Sequence, residues 1–350
     1  MISPKSSLFG RTTTGLLMVI LLTGLGLAYL WFSFTSWLNT PLDIQQQSFH
    51  YELNSGKSLS HLTQDLASKK ILAHPRWLNW YARFYQKEKI HPGEYLLNVG
   101  LTPISLLEKL NTGDVILYQV TFLEGWTFKQ VIDALNAEPE IKHLLAGKPD
   151  SDYLQILSLP ISHLEGWFFP DTYRFSRNTT DVEILTQAYK AMRKNLDEFW
   201  ANKSINLPYR NDYEALIMAS IVEKETGHEG ERDKIAGVFV RRLQIGMPLQ
   251  TDPTVIYGMG NIYRGKISRE DLKRPTRYNT YTIQGLPPTP IAMPGKASLY
   301  AALHPDTGKS LYFVAKGDGT SIFSETLDDH QRAVMRFQLK RTSDYRSTPK

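Results

Sequence analysis

The chain has 350 residues, a length that suggests about two domains. Hydrophobic residues make up 42% of the sequence and charged residues 21%, so the composition excludes a largely disordered chain. The net charge is +5 without any block of like charges, and binding to nucleic acid is therefore not expected. Cysteine is absent, which excludes disulfides, thiolate metal sites and a cysteine nucleophile.

The first predicted element is a transmembrane helix over residues 15–34, an apolar run interrupted chiefly by Thr23. A helix of about 20 apolar residues spans the hydrocarbon core of a bilayer. Lys5 and Arg11 precede this segment. The positive-inside rule therefore predicts a cytoplasmic N-terminus, residues 1–14, and the rest of the chain on the opposite side of the membrane.

A cleaved signal peptide is the alternative to this anchor. The triplet Gly26-Leu27-Ala28 has the small-x-small pattern of a cleavage site. The apolar run continues past the triplet to Phe34, and this length favours an uncleaved membrane helix.

Residues 35–47 are predicted to form a linker, and residues 48–100 a small βααβ module. Apolar and polar side chains alternate over residues 48–53, as in a half-buried strand, and residues 93–97 give a second strand-like run. Two helices are predicted between these strands. The second has an aromatic stripe formed by Trp77, Trp80, Tyr81 and Phe84.

The predicted fold class for the remainder is α+β. Residues 101–160 form a connecting α/β segment with a helix, a strand and a second helix, predicted over residues 103–110, 115–123 and 127–135. A larger domain follows over residues 161–340. The last ten residues, 341–350, are polar without an apolar stripe and are predicted to be a flexible tail.

The strongest local pattern lies at residues 211–226. Asn211 and Glu214 resemble a capping box, which predicts a helix start. The helix body is apolar on nearly every side, as in a buried helix, and it ends with Glu223 and Glu225. A carboxyl group at such a position is partly desolvated and suited to general acid catalysis. The alternative to a catalytic role is that these glutamates simply mark the solvated end of a core helix. Helical periodicity also does not indicate which of the two glutamates would be catalytic.

Three segments further along combine aromatic, amide and hydroxyl groups. Residues 250–258 are polar and then strand-like, residues 278–281 read YNTY, and residues 285–295 are predicted to form a rigid loop. Sugar rings have apolar faces and polar edges, so this mixture suits a sugar-binding groove, although Pro/Gly segments are also ordinary turns. The candidate substrate-binding residues are Gln250, Thr251, Asp252, Tyr257, Tyr278, Asn279 and Thr280.

Several of these segments together resemble one protein family. The sequence is similar to the endolytic murein transglycosylases, the MltG or YceG-like family. The motifs that carry the resemblance are ASIVEKET at 219–226, ERDKIAGVFVRRL at 231–243, LQTDPTVIYG at 249–258, YNTY at 278–281 and GLPPTPIAMPG at 285–295, with LEGWFFPDTY at 164–173 and LYFVAKGDG at 311–319.

This resemblance implies a single-pass protein of the bacterial inner membrane, with a LysM-like module at 48–100 and a periplasmic catalytic domain at 161–340. The resemblance also implies that the first glutamate of the ASIVEKET motif, Glu223, is catalytic. The implied reaction is lytic, not hydrolytic: it cleaves the MurNAc–GlcNAc bond of nascent glycan strands and leaves 1,6-anhydroMurNAc ends. No metal or cofactor is implied. The implied partners are peptidoglycan strands, the membrane and, from the anchored position, peptidoglycan synthases.

Two other functions stay open at this point. The first is a peptidoglycan hydrolase, which would use a second carboxylate from among Asp252, Glu225 and Glu165. The second is a scaffold that binds peptidoglycan without cleaving it. The chemistry of the new glycan end distinguishes the lyase from the hydrolase, and any cleavage excludes the scaffold.

Overall fold

The computed structural model describes residues 7–45 and 47–338, so the predicted tail and Lys5 lie outside the described residues. The chain divides into two compact units. The first comprises residues 1–118 and 176–178, and the second comprises residues 119–175 and 179–350. Both units combine helices with short two-stranded sheets, in agreement with the predicted mixed helix and sheet content.

A long N-terminal helix, α1, runs from Ser7 to Leu38. Its segment Gly15–Leu38 is long and apolar enough to cross a membrane, and its large apolar side chains from Leu16 to Phe32 are exposed. The helix continues past the predicted end at residue 34 into the predicted linker. Two further residues of the predicted linker, Leu42 and Ile44, are buried in the core of the first unit.

The predicted strand-helix-helix-strand order of the first unit is confirmed. Strand β1 is Ser48–Leu53, helix α2 Leu59–Ser68, helix α3 Pro75–Phe84 and strand β2 Gly93–Asn98. The two strands pair antiparallel with Tyr51 opposite Tyr95. The likeness of this module to LysM stays a proposal.

Helix α4, Pro103–Thr112, belongs to the same core although it follows the predicted module end at residue 100. A capping box formed by Thr102 and Ser105 starts it. Its inner face contributes three buried leucines, Leu106, Leu107 and Leu110. Because α4 covers the hydrophobic core of the first unit, this unit extends past residue 100 to residue 118. Strand β3, Leu117–Thr121, begins at this boundary.

The second unit begins with α5, Phe128–Asn136, and α6, Asp150–Leu157. Strand β4, Thr172–Ser176, pairs with β3, and the boundary between the units falls within both strands. Helix α7, Asp181–Ala201, is capped by Thr180. The predicted helix at 127–135 is therefore confirmed as α5, and α5 and α7 each begin with a capping box that satisfies free backbone N–H groups.

Helix α8, Asp212–Glu225, is the centre of the second unit. Every residue from Glu214 to Val222 is buried. Asn211 caps the helix as predicted by accepting from the Glu214 backbone N–H at 3.0 Å. The Glu214 carboxylate, however, binds Arg210 and does not complete the capping box. Helices α9, Arg232–Gln244, α10, Asp252–Met259, and α12, Lys296–Leu303, pack around α8.

The prediction of a strand-like segment at 250–258 is wrong, because Asp252–Met259 is helix α10. Pro253 occupies its first turn, where a missing N–H costs nothing and the fixed φ suits a helix. Burial of Thr254 and Val255 against the core overrides their β propensity. The predicted loop at 285–295 has no helix or strand. The remaining elements are α11, Arg269–Lys273, β5, Tyr312–Ala315, β6, Ser321–Ser324, and α13, Leu327–Phe337.

Replacing Leu106 by alanine should destabilise the βααβ module, since α4 shares its core. Loss of a fully buried leucine costs about 2–5 kcal/mol. Amide hydrogen exchange of β1 and β2 in the detergent-solubilised chain should therefore accelerate. Leu117→Ala is the control, because this side chain is 57% exposed. Equal exchange in the two variants would show that the module folds independently of α4.

Candidate active site

Glu223 lies in the last turn of α8, beside the start of α12. Its Oε2 accepts a hydrogen bond from the backbone N–H of Gly295 at 3.0 Å. One turn earlier on the helix, the Ser220 hydroxyl accepts from the backbone N–H of Ile291, also at 3.0 Å. The buried helix thus holds the loop that carries Ile291 and Gly295, and this loop orients the Glu223 carboxylate.

The segment Leu123–Trp126 forms a turn against the same loop. The Gly125 N–H donates to the Met293 carbonyl at 2.9 Å, and the Met293 N–H donates to the Trp126 carbonyl at 2.7 Å. The Lys224 ammonium donates to the Gly125 carbonyl at 3.1 Å. These three hydrogen bonds fix the turn next to the end of α8.

This turn brings a second carboxylate, Glu124, close to Glu223. A Cβ atom on Gly295 would lie 1.8 Å from Oε1 of Glu124, so position 295 has no room for a side chain while Glu124 keeps this position. Partial burial and the negative charge of Glu223 both raise the pKa of Glu124, and the charge of Arg232 opposes them. Arg232 is itself buried, and its Nε has no hydrogen-bond partner among the described residues.

The motif Leu-Glu-Gly-Trp occurs twice, at 123–126 and 164–167, and both copies pack on the same loop. Gly125 and Gly166 have φ values of +74° and +85°, which glycine tolerates best. A Cβ on Gly166 would lie 2.5 Å from Pro290. The two copies thus hold opposite ends of the loop segment 290–295.

The glutamate of the second copy, Glu165, accepts two hydrogen bonds. The Phe128 N–H at the start of α5 donates to it at 2.9 Å, and the Tyr257 hydroxyl donates at 3.0 Å. Burial raises the pKa of Glu165 to about 7. It lines a cavity of about 470 Å³ with the predicted residues Tyr257 and Tyr278, whose rings meet edge to face at 4.9 Å.

A different cavity, of about 610 Å³, contains the predicted residues Gln250 and Asp252 together with Glu225. The Tyr281 hydroxyl donates to Asp252 at 2.6 Å, and the Thr251 hydroxyl donates to Glu225. Burial raises the pKa of Glu225 to about 7. Neither cavity is lined by Glu223, so the predicted substrate-binding residues form two groups rather than one groove around it.

Three predicted residues, Thr251, Asn279 and Thr280, are buried and bonded to the protein itself. The Asn279 amide donates to the carbonyls of Asp271, Leu272 and Arg274. The Thr280 hydroxyl accepts from the Thr251 N–H at 3.0 Å. These contacts join the 278–281 segment to α10 and α11.

Sequence reasoning did not single out Glu124, Arg232 or Gly295. Glu124 lies in an exposed turn without helical or strand periodicity, so no pattern places it beside Glu223. The repeated Leu-Glu-Gly-Trp motif is the one signal that could have identified it.

The chain belongs to the YceG-like family, whose model matches residues 51–336. This membership, together with the names of the relatives that follow, identifies an enzyme of the lyase type.

Two relatives, each named endolytic murein transglycosylase, come from Bacillus subtilis strain 168 and Streptococcus pneumoniae D39. The first is 33% identical over 302 residues, which are 81% of this chain and 83% of the relative. The second is 27% identical over 345 residues, covering 87% of this chain but 61% of the relative. The crystal structure of a putative YceG-like protein from Listeria monocytogenes has 29% identity and a TM-score of 0.52, and the match covers 82% of this chain and 99% of that one.

Glu225→Gln should change how stability depends on pH. The folded-state pKa of about 7 lies above the ordinary value of 4.5, so the folded protein keeps a proton that the unfolded chain releases. This contribution to stability is full below about pH 4.5 and is lost as pH rises through 7, by roughly 1–3 kcal/mol. Relative to wild type, the variant should therefore gain stability between pH 5 and 8. Denaturant unfolding of both proteins at pH 5 and pH 8 measures the free energy of unfolding. The same difference between variant and wild type at the two pH values would contradict the prediction.

Glu223→Gln should lower the pKa of Glu124, because the charge of Glu223 is one of the causes that raise it. Carbon-13 NMR titration of glutamate carboxyl groups measures the change, with the Glu124 signal assigned by its loss in Glu124→Gln. Glu225→Gln is the matched control, since Glu225 does not contribute to this shift. An identical Glu124 titration in Glu223→Gln and wild type would show that the two carboxylates are not coupled.

Proposed function

We propose that this protein is a membrane-anchored endolytic lytic transglycosylase of peptidoglycan. It cleaves the bond between MurNAc and GlcNAc inside nascent glycan strands and leaves 1,6-anhydroMurNAc ends. The observation that carries the proposal is the position of Glu223, the glutamate of an unbroken ASIVEKET motif, at the end of a buried helix. The names of the two relatives support the substrate.

Glu223 acts as the general acid and then as the general base. It protonates the glycosidic oxygen as the bond breaks and an oxocarbenium-like centre develops on MurNAc. The 6-hydroxyl of the same sugar attacks this centre, and the Glu223 carboxylate removes the hydroxyl proton. One carboxyl group suffices because the two proton transfers occur at different times and the nucleophile belongs to the substrate.

The hydrogen bond from Gly295 supports this assignment. A backbone N–H holds Oε2 of Glu223 and leaves Oε1 without a hydrogen bond from the described residues. Catalytic carboxyl groups need such a fixed orientation, since misplacement by about 1 Å can reduce the rate about 10²-fold. Lys224, next in the chain, is directed to Gly125 and leaves Glu223 without an ion pair among the described residues.

The glycan is contacted by the predicted residues that line the two cavities, Gln250, Asp252, Tyr257 and Tyr278. Tyrosine rings offer faces to sugars and hydroxyls to their edges. Thr251, Asn279 and Thr280 support these residues from behind through buried hydrogen bonds. The βααβ module is LysM-like and binds glycan as well.

Helix α1 anchors the protein in the bacterial inner membrane. Its apolar segment and the preceding Lys5 and Arg11 support a cytoplasmic N-terminus and a periplasmic catalytic unit. Such an anchor keeps the enzyme where peptidoglycan synthases release new strands, and these synthases are its proposed partners.

A peptidoglycan hydrolase is the second candidate, because Glu124 lies beside Glu223. Paired carboxylates are typical of glycoside hydrolases, in which one activates water or forms a covalent intermediate. Under this alternative Glu124 is essential and the new ends are reducing sugars. Under the proposed lyase reaction, Glu124→Gln retains anhydro product.

Glu223→Gln should reduce the formation of anhydro ends about 10²-fold or more, the range that general acid–base catalysis supplies. The amide has nearly the same volume and still accepts the Gly295 N–H, so folding should survive. Mass spectrometry of muropeptides after digestion of glycan strands measures the ends directly.

The matched control is Glu225→Gln, a change two residues along the same helix end, which should retain much more activity. Reducing ends in the wild-type digest would move the protein to the hydrolases. Undiminished anhydro product from a folded Glu223→Gln protein would remove Glu223 from its role.

A further inference from the structure

Helix α3 of the first unit exposes large aromatic side chains on its C-terminal turn. Trp80 and Phe84 are 74% and 73% exposed, and Tyr85 is 51% exposed. These three residues are here called the α3 tip: the rings of Phe84 and Tyr85 meet at 5.1 Å, and Trp80 lies about one helical turn before Phe84 on the same side of α3. Isolated exposed aromatics need no explanation, but a cluster on one turn marks a surface that meets an apolar partner.

The same helix packs on the end of α1 through its other aromatic residues. Trp77 contacts both Trp37 and Phe34, with ring centroids 5.5 and 5.6 Å apart. Tyr81, one turn later on α3, contacts Phe34 at 6.4 Å. From Trp77 to Tyr81, the contacts of α3 therefore move from the C-terminal end of α1 toward its apolar middle.

The depth of the α3 tip follows from helix geometry. A hydrocarbon core of about 30 Å corresponds to about 20 helical residues. Counted from Gly15, where the apolar span begins, this length ends at Phe34. Tyr81 lies beside Phe34, and the next turn of α3 carries Phe84 about 5 Å further along its axis. Phe84, at the end of the α3 tip, thus lies near the level of Trp31, just inside the edge of the bilayer core at Phe34, and Trp80 lies about one turn closer to the headgroups.

The polar residues around the tip fit the headgroup layer. Arg83, Lys87 and Lys89 are exposed, against one exposed carboxylate, Glu88, which pairs with Arg83 at 3.2 Å. Long cationic side chains can bury their stems at an interface and reach lipid phosphates. Tryptophan and tyrosine also concentrate at this depth.

We propose that the α3 tip inserts into the lipid interface at the C-terminal end of α1, so that the first unit contacts the membrane through two elements. The proposal rests on α1 being the membrane anchor of the proposed function. Its partner is a lipid surface, because the tip continues the aromatic belt that Trp31 and Phe34 begin on α1. Insertion fixes the height and rotation of the βααβ module against the bilayer.

The absence of cysteine gives a direct test, since one introduced cysteine carries a unique nitroxide label. We would label Phe84→Cys in the full chain, reconstituted in vesicles of phosphatidylethanolamine and phosphatidylglycerol. Power-saturation electron paramagnetic resonance compares collisions with oxygen, which concentrates in lipid, and with a water-soluble nickel chelate. The label should collide more with oxygen than with nickel.

Two control labels separate this proposal from the anchor itself. Leu25→Cys, in the middle of α1, should report the bilayer interior, and Ile205→Cys, at a site 87% exposed in the second unit, should report water. An aqueous Leu25 label would show that the anchor has failed. A lipid-exposed Leu25 label with a Phe84 label as aqueous as that of Ile205 would overturn the α3 proposal alone.

Other partners of the tip give a different result in the same experiment. If the Phe84 label is aqueous in vesicles and becomes immobile only when soluble glycan fragments are added, the tip binds glycan, and the membrane proposal is wrong. Trp80→Cys, about one turn earlier on α3, provides a second reading of depth and should be closer to water than the Phe84 label but less aqueous than the Ile205 label.

Discussion

Two hydrogen bonds between side chains of a buried helix and the backbone of one loop determine the geometry of the candidate site. Ser220 and Glu223 of α8 accept from the N–H groups of Ile291 and Gly295. Because α8 is buried along nearly its whole length, it cannot move without disturbing the core of its unit. The loop is therefore held against a rigid support, and the turns containing Glu124 and Glu165 are held against the loop.

This arrangement gives several carboxyl groups different chemical surroundings within one unit. Glu165 and Glu225 are each enclosed and hydrogen bonded, and burial raises the pKa of both to about 7. Glu124 is more exposed and responds to the charge of its neighbour Glu223. Glu165 and Glu225 are therefore tied into the packing of the unit, while Glu124 and Glu223 form an electrostatically coupled pair.

The sequence predicted those parts of the structure in which one local pattern dominates. Helix α8 was predictable because its residues are apolar on every side, and the choice of Glu223 over Glu225 came from the family resemblance. The helix at Asp252–Met259 was missed because its β-branched residues favour a strand locally and only packing decides otherwise. Glu124 was missed because its position beside Glu223 depends on contacts of its turn with the 290–295 loop, which is distant in sequence, and no periodicity reports such contacts.

The short connection between α1 and the first unit has a consequence for how the enzyme meets its substrate. Helix α1 ends at Leu38, and Leu42 and Ile44 are already part of the core, so the tether has almost no slack. With α1 in the bilayer, the protein searches for glycan by lateral diffusion in two dimensions rather than through the volume of the compartment.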